Sequence, residues 1–150
     1  MNDDALTRVV AVRHGETAWN VQTRIQGQLD IALNDAGRHQ AQRLARALAH
    51  ERFDAVYASD LQRAADTARP FAEQAGLPLH TEIALRERGF GSFEGLTWAE
   101  VEQHHPEESR RWRERDASFG PPGGAISNER TARGIEQRGA LAGHLEAGRD

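Results

Sequence analysis

Residues 8–12 (Arg-Val-Val-Ala-Val) form a short, almost continuous apolar run that stops at Arg13-His14-Gly15-Glu16-Thr17. A valine-rich run of this length suits a strand buried on both faces, as in a parallel sheet. Residues 53–58 (FDAVYA) read as a second strand and 78–83 (PLHTEI) as a weaker one. Helical patterns lie between the runs. Asn34 or Asp35 can cap a helix over about 36–51, in which Ala41, Leu44, Ala45 and Leu48 share one face. Ser59 with Gln62 is a capping-box pattern, and Leu61, Ala64, Ala65 and Ala68 follow at helical spacing. Pro70 is expected to end or kink that helix, and Gly76 to stop it. Thr97 with Glu100 opens a helix over 98–104, Pro106 fits the first position of another running to about 115, and 127–147 reads as helical despite three glycines. Residues 20–34, 86–96 and 117–125 read as loops.

Alternating strands and helices give an α/β class with a largely parallel sheet and right-handed crossovers. With no repeat and no linker, residues 1–150 are read as one domain. In such sheets ligands sit at the carboxyl ends of strands, so the segments after residues 12 and 58 are where chemistry is expected. Composition narrows that chemistry. Cysteine is absent, which excludes thiolate metal sites and a thiol nucleophile. All 19 basic residues are arginine, which excludes lysine Schiff bases and P-loop lysines but leaves many groups suited to gripping phosphate. A net charge of −4 gives no general attraction to nucleic acid, and no stretch is apolar enough to span a membrane. The acidic start, with its short apolar run, is neither a signal nor a transit peptide, so a cytoplasmic setting is expected.

Three segments could carry a reaction. His14 stands just past the first strand, and a neutral imidazole there can attack phosphorus. Flanking guanidinium groups would disfavour imidazolium and offset phosphoryl charge. A turn holding a structural histidine is the plain alternative. Arg63 falls in the first turn of its helix, where amide groups favour anions; alone, it would be a surface arginine. Glu87 lies in a glycine- and phenylalanine-rich loop, where partial desolvation would raise its pKa toward that of a general acid; alone, it would pair with Arg86 and Arg88. Two other clusters are read as structural. Arg110, Arg111, Arg113 and Arg115 interleave with Glu107, Glu108, Glu114 and Asp116 as a salt-bridged helix face. His104 and His105 point in different directions on a helix, so no metal site is expected.

Together, the segments resemble the histidine phosphatase superfamily, which includes cofactor-dependent phosphoglycerate mutases and fructose-2,6-bisphosphatase-like phosphatases. The resemblance rests on R-H-G-E-T-x-W-N at 13–20, Gly27, Asp30, Leu33 and Gly37, S-D-L-x-R-A-x-x-T-A at 59–68, E-R-x-F-G-x-x-E-G at 87–95, and Pro-Pro-Gly-Gly at 121–124. It implies a three-layer phosphoglycerate mutase-like fold, with helices flanking a mostly parallel sheet. It implies His14 as the nucleophile that becomes phosphohistidine, with Arg13 and Arg63 on the phosphoryl oxygens. Glu87 would be the acid for the leaving alcohol and then the base for water. Thr17, Asn20, Gln26 and Gly27 would line the substrate pocket. These parts suffice for phosphoryl transfer to water from a small phosphorylated metabolite, with phosphate as product and neither metal nor cofactor.

The resemblance also implies a second active-site histidine after a late apolar strand, in a segment like V-V-S-H-G. No segment here reads that way; His144 is the one late histidine, and Ala125 stands where a glutamate would follow Gly-Gly. The domain is therefore expected to be incomplete at its C-terminus, with an apolar sheet edge that a second copy could cover as a homodimer. Two further readings stand beside the hydrolase: a phosphoglycerate mutase, and a catalytically impaired phosphate-binding remnant. The short connection from Glu87 to Pro-Pro-Gly-Gly favours the hydrolase over the mutase.

Overall fold

The computed structural model describes residues 7–125. The helix read over 127–147, and His144 within it, lie outside the described residues. Helix α1 (Ala18–Val21) follows the Arg-His-Gly turn, and the Thr17 and Asn20 side chains each bond the other's backbone N–H. Helix α2 (Asp35–Ala47) is capped by Asn34, whose side chain accepts from the Gly37 N–H. Strand β1 (Val56–Ala58) leads into α3 (Gln62–Ala75), and β2 (Leu79–Thr81) returns parallel to β1, pairing Val56 with Leu79 and Ala58 with Thr81. Helices α4 (Trp98–His104) and α5 (Pro106–Arg113) follow; the Thr97–Glu100 capping box and Pro106 in the first turn start them as expected. The class is thus α/β with a parallel pair flanked by helices, and among the described residues the sheet has two strands.

Several expectations need correction. Residues 8–12 form no strand: nothing described pairs with them, and Val9, Val10 and Val12 are 74%, 46% and 50% exposed. A buried parallel strand needs neighbours on its edges and cover on its faces. Ser59 does not cap α3. The cap position is Leu61, and the Gln62 N–H is satisfied by the Asp30 carboxylate at 2.7 Å. Pro70 does not end α3, which runs five residues beyond it to Ala75. Burial of Phe71 and Ala72 in the core holds the helix together past the proline. Gly76 stops the helix in the left-handed conformation. Helix α2 ends at Ala47 rather than 51 and α5 at Arg113 rather than 115, and 3₁₀ turns stand at Ile83–Leu85, just before the 86–96 loop, and at Gly91–Phe93 within it.

Two cores support the described residues. One joins Ala45 of α2, Val56 of β1 and Phe71 and Ala72 of α3, with Phe53 set edge-on to Phe71. The other joins Ile25, Phe93, Val101 and Phe119 beneath α4 and α5, and Phe93 is wholly buried. Truncating a phenylalanine in such a position costs roughly 3–5 kcal/mol. The arginine run of α5 forms the expected salt-bridged face: Arg110 pairs with Glu107 and Glu114, Arg111 with Asp116 and Arg113 with Glu102.

Candidate active site

The Arg-His-Gly turn sits on α2 and α3. Gly15 packs on Gly37: a Cβ on Gly15 would lie 2.7 Å from the Gly37 carbonyl oxygen, and one on Gly37 would lie 2.1 Å from that of Glu16. Only glycine fits such backbone-to-backbone contact. The turn is then fixed by hydrogen bonds. The Gly15 N–H donates to Thr67 Oγ1 (2.8 Å) on α3, and the Glu16 N–H to Gln40 Oε1 (2.9 Å) on α2. Thr17 and Leu33 form a β-bridge, with the Asn34 N–H on the Glu16 carbonyl (3.0 Å).

His14 is half-buried, and its Nδ1–H donates to the Gly15 carbonyl at 2.7 Å. A carbonyl can only accept, so Nδ1 carries the proton and the neutral ring keeps its lone pair on Nε2. Burial lowers the imidazole pKa. The Gly15 hydrogen bond opposes this, Arg63 and Arg13 lower it further, and Glu87 raises it; the balance is below the usual histidine value. The charges of Arg63, Arg13 and Glu87 therefore all act on the His14 ring.

Arg63 is 2% exposed. Its guanidinium donates to the Leu29 carbonyl (2.7 Å) and the Gly27 carbonyl (2.6 Å). Burial pulls its pKa down while Glu87, Asp30 and Glu94 support the charge, and it stays a cation. Gly27 has φ +53°, and a Cβ there would meet Glu94 Oε1 at 2.1 Å. The same Glu94 oxygen accepts from the Gln28 N–H (3.0 Å) and the Phe90 N–H (2.9 Å), tying the loop that holds Arg63 to the loop that carries Glu87.

An open cleft of about 380 Å³ is lined by Arg13, His14, Glu16, Asn20 and Gln40. The expected pocket residues divide. Asn20 lines the cleft. Thr17 has no exposed surface, and its hydroxyl donates to Gln26 Oε1 (2.7 Å), so Thr17, Gln26 and Gly27 form a buried layer. Glu87 is exposed, which corrects the expected desolvation; the burial falls instead on Arg88, stacked over Phe90 and Trp112. Arg86 pairs with Asp60 through both carboxylate oxygens, not with Glu87. The sequence reading missed Thr67, Gln40 and Glu16. The contacts that give them a place here join residues 24 and 52 positions apart, which no local pattern signals. No metal-binding group of three or more His, Asp or Glu occurs among the described residues.

The family profile described as histidine phosphatase superfamily, branch 1, matches residues 9–148. The chain belongs to the histidine phosphatase superfamily. Among its relatives, phosphoglycerate mutase-like protein 4 of Arabidopsis thaliana is 45% identical over 121 residues, 79% of this chain and 53% of that one. The glucosyl-3-phosphoglycerate phosphatase of Mycobacterium tuberculosis is 42% identical over 117 residues, 78% and 52% of the two chains. A solved mycobacterial glucosyl-3-phosphoglycerate phosphatase in complex with VO3 superposes with a TM-score of 0.78 at 37% identity, over 87% of this chain and 62% of that one. The chain spans about half the length of the curated relatives it matches.

Proposed function

We propose that the chain is a phosphomonoester hydrolase acting on a small phosphorylated metabolite through a phosphohistidine on His14. The observation that carries the reading is the Nδ1–H bond to Gly15, which leaves Nε2 as the free lone pair among arginines. Nε2 attacks phosphorus, an N–P bond forms and the P–O bond to the alcohol breaks. Glu87 gives its proton to the leaving oxygen. Water then attacks the phosphorus, the Glu87 carboxylate takes the water's proton, the N–P bond breaks and the pair returns to Nε2. Arg63 and Arg13 offset the charge on the phosphoryl oxygens throughout. Asn20 contacts the substrate in the cleft, and Thr17, Gln26 and Gly27 hold its wall. Relatives named as phosphatases of glucosyl-3-phosphoglycerate and phosphoserine support both the reaction and the substrate class.

The test is turnover of p-nitrophenyl phosphate by the 150-residue chain beside His14→Ala, from mildly acidic to neutral pH. Activity lost in the variant is expected. Equal background rates, with phosphate or vanadate still bound in calorimetry, would replace the hydrolase with a binding remnant. Isomerisation of 3-phosphoglycerate outpacing phosphate release would replace it with a mutase. A cytoplasmic setting and a homodimer belong to the same proposal. The exposed Val9, Val10 and Val12 are the surface a second copy would cover. A stable monomer in size-exclusion chromatography with light scattering would reject the dimer.

A further inference from the structure

Gly15 is held from three directions. Its N–H donates to Thr67 Oγ1 (2.8 Å), its Cα lies against the Gly37 backbone, and its carbonyl receives the His14 Nδ1–H (2.7 Å). The N–H belongs to the His14–Gly15 peptide and the carbonyl to the Gly15–Glu16 peptide, whose own N–H is held by Gln40, so Thr67 fixes the backbone that leaves His14 while the next peptide receives the ring. Thr67 is itself buried, and its one hydroxyl proton goes to the Arg63 carbonyl (2.6 Å), one turn back along α3. An i−4 bond of this kind slightly destabilises a helix and often bends it. Here it has a second consequence. With its proton committed to Arg63, the oxygen can only accept, and it faces the Gly15 N–H with its lone pair.

We propose that Thr67 is a positioning residue: its hydroxyl joins the peptide that leaves His14 to the helical turn that carries Arg63, so that the two move as one unit. The proposal rests on His14 being the nucleophile, and it explains why the two keep register. They are 49 positions apart in sequence but two hydrogen bonds apart through Thr67. Misplacement of a reacting group by about 1 Å costs on the order of 10²-fold in rate. Loss of the hydroxyl should therefore lower kcat while leaving KM nearly unchanged, because no cleft-lining side chain is altered.

The experiment compares wild type with Thr67→Val, Thr67→Ser and Thr67→Ala in the full chain. The valine keeps the shape and removes the hydroxyl. The serine keeps the hydroxyl and removes the methyl, and the alanine removes both. With p-nitrophenyl phosphate, Thr67→Val should lose roughly 10- to 100-fold in kcat, and serine should restore most of it. Should the valine variant fail to fold, the alanine-to-serine ratio isolates the hydroxyl in the same way. A second readout needs no turnover: the His14 ring titration followed by NMR. Around this ring stand Arg13 from its own turn, Arg63 from α3 and Glu87 from the acid loop. The midpoint should move in Thr67→Val and stay at the wild-type value in Thr67→Ser. A folded valine variant with wild-type kcat and wild-type His14 titration would overturn the proposal, as would equal losses in serine and valine. A wild type without turnover, but with a His14 midpoint that still depends on the Thr67 hydroxyl, would reject the hydrolase and keep the positioning role.

Discussion

The turn at 13–17, which holds the proposed nucleophile, and the loop at 87–95, which holds the proposed acid, both have a braced backbone but differ in how far the functional side chain is buried. The turn is braced by α2 and α3 through glycine-on-glycine contact and hydrogen bonds to Thr67 and Gln40. The acid loop leaves the Glu87 side chain exposed, yet its backbone is fastened along its length: Gln28 donates to the Glu87 carbonyl (3.1 Å), the Ala125 N–H to the Gly89 carbonyl (2.9 Å) and the Ser92 N–H to the Pro122 carbonyl (2.9 Å), while Glu94 collects two backbone N–H groups. In the proposed reaction, the group that must hold its lone pair and geometry before substrate arrives is the half-buried one, and the group that must exchange a proton with alcohol and water is the one open to solvent.

The comparison breaks most severely at Arg63. Arg63→Ala should cost about 10²- to 10³-fold in kcat, the scale for one lost oxyanion donor. It should also cost roughly 1–3 kcal/mol of stability, because the Gly27 and Leu29 carbonyls lose their donor. Steady-state kinetics and urea unfolding read the two effects. Glycine replacements sharpen the contrast. Gly37→Ala forces a Cβ into the Glu16 backbone and should cost about 1–3 kcal/mol with a fall in turnover. Gly89→Ala in the acid loop meets nothing nearer than 3.8 Å and should stay within about 0.5 kcal/mol. Equal melting shifts for the two would deny the difference in packing at these two glycines.

A smaller effect is expected in pH. His14 titrates below the usual value of about 6.5. As pH falls through 6.5 the unfolded chain takes up this proton before the folded one does, so stability declines on acidification through that window. Above 6.5 both states are neutral and the effect vanishes. An NMR titration of His14 in wild type and in Arg63→Met should place the wild-type midpoint below 6.5 and the variant's above the wild type's. The smallest effect should come from Arg110→Ala on α5, whose partners Glu107 and Glu114 are surface groups; kcat/KM should not change.

How far the sequence could be read follows the same division. Where structure is set by neighbours in sequence, as at the Thr97–Glu100 box, Asn34 and Gly76, the residues alone gave the element and its end. Where a partner comes from elsewhere, they did not. Asp30 supplies the acceptor at the start of α3 that Ser59 was expected to provide, and packing of Phe71 carries the helix past Pro70. The valines of 8–12 have strand character, but no described residues pair with them. The family motifs led to His14 and to Arg13, Arg63 and Glu87, whose charges act on its ring. Thr67 and Gly37 stand in those motifs, but their contacts with the turn became visible only with the packing of α2 and α3 on it.

The most direct test of a phosphohistidine route through His14 is to trap the intermediate. The chain would be mixed with p-nitrophenyl phosphate, quenched in alkali, where phosphohistidine survives, and mapped by mass spectrometry and ³¹P NMR. The account predicts phosphate on His14, attached at Nε2, and none in His14→Ala. Hydrolysis that proceeds with no phosphate on His14, or with phosphate on Nδ1, would contradict it.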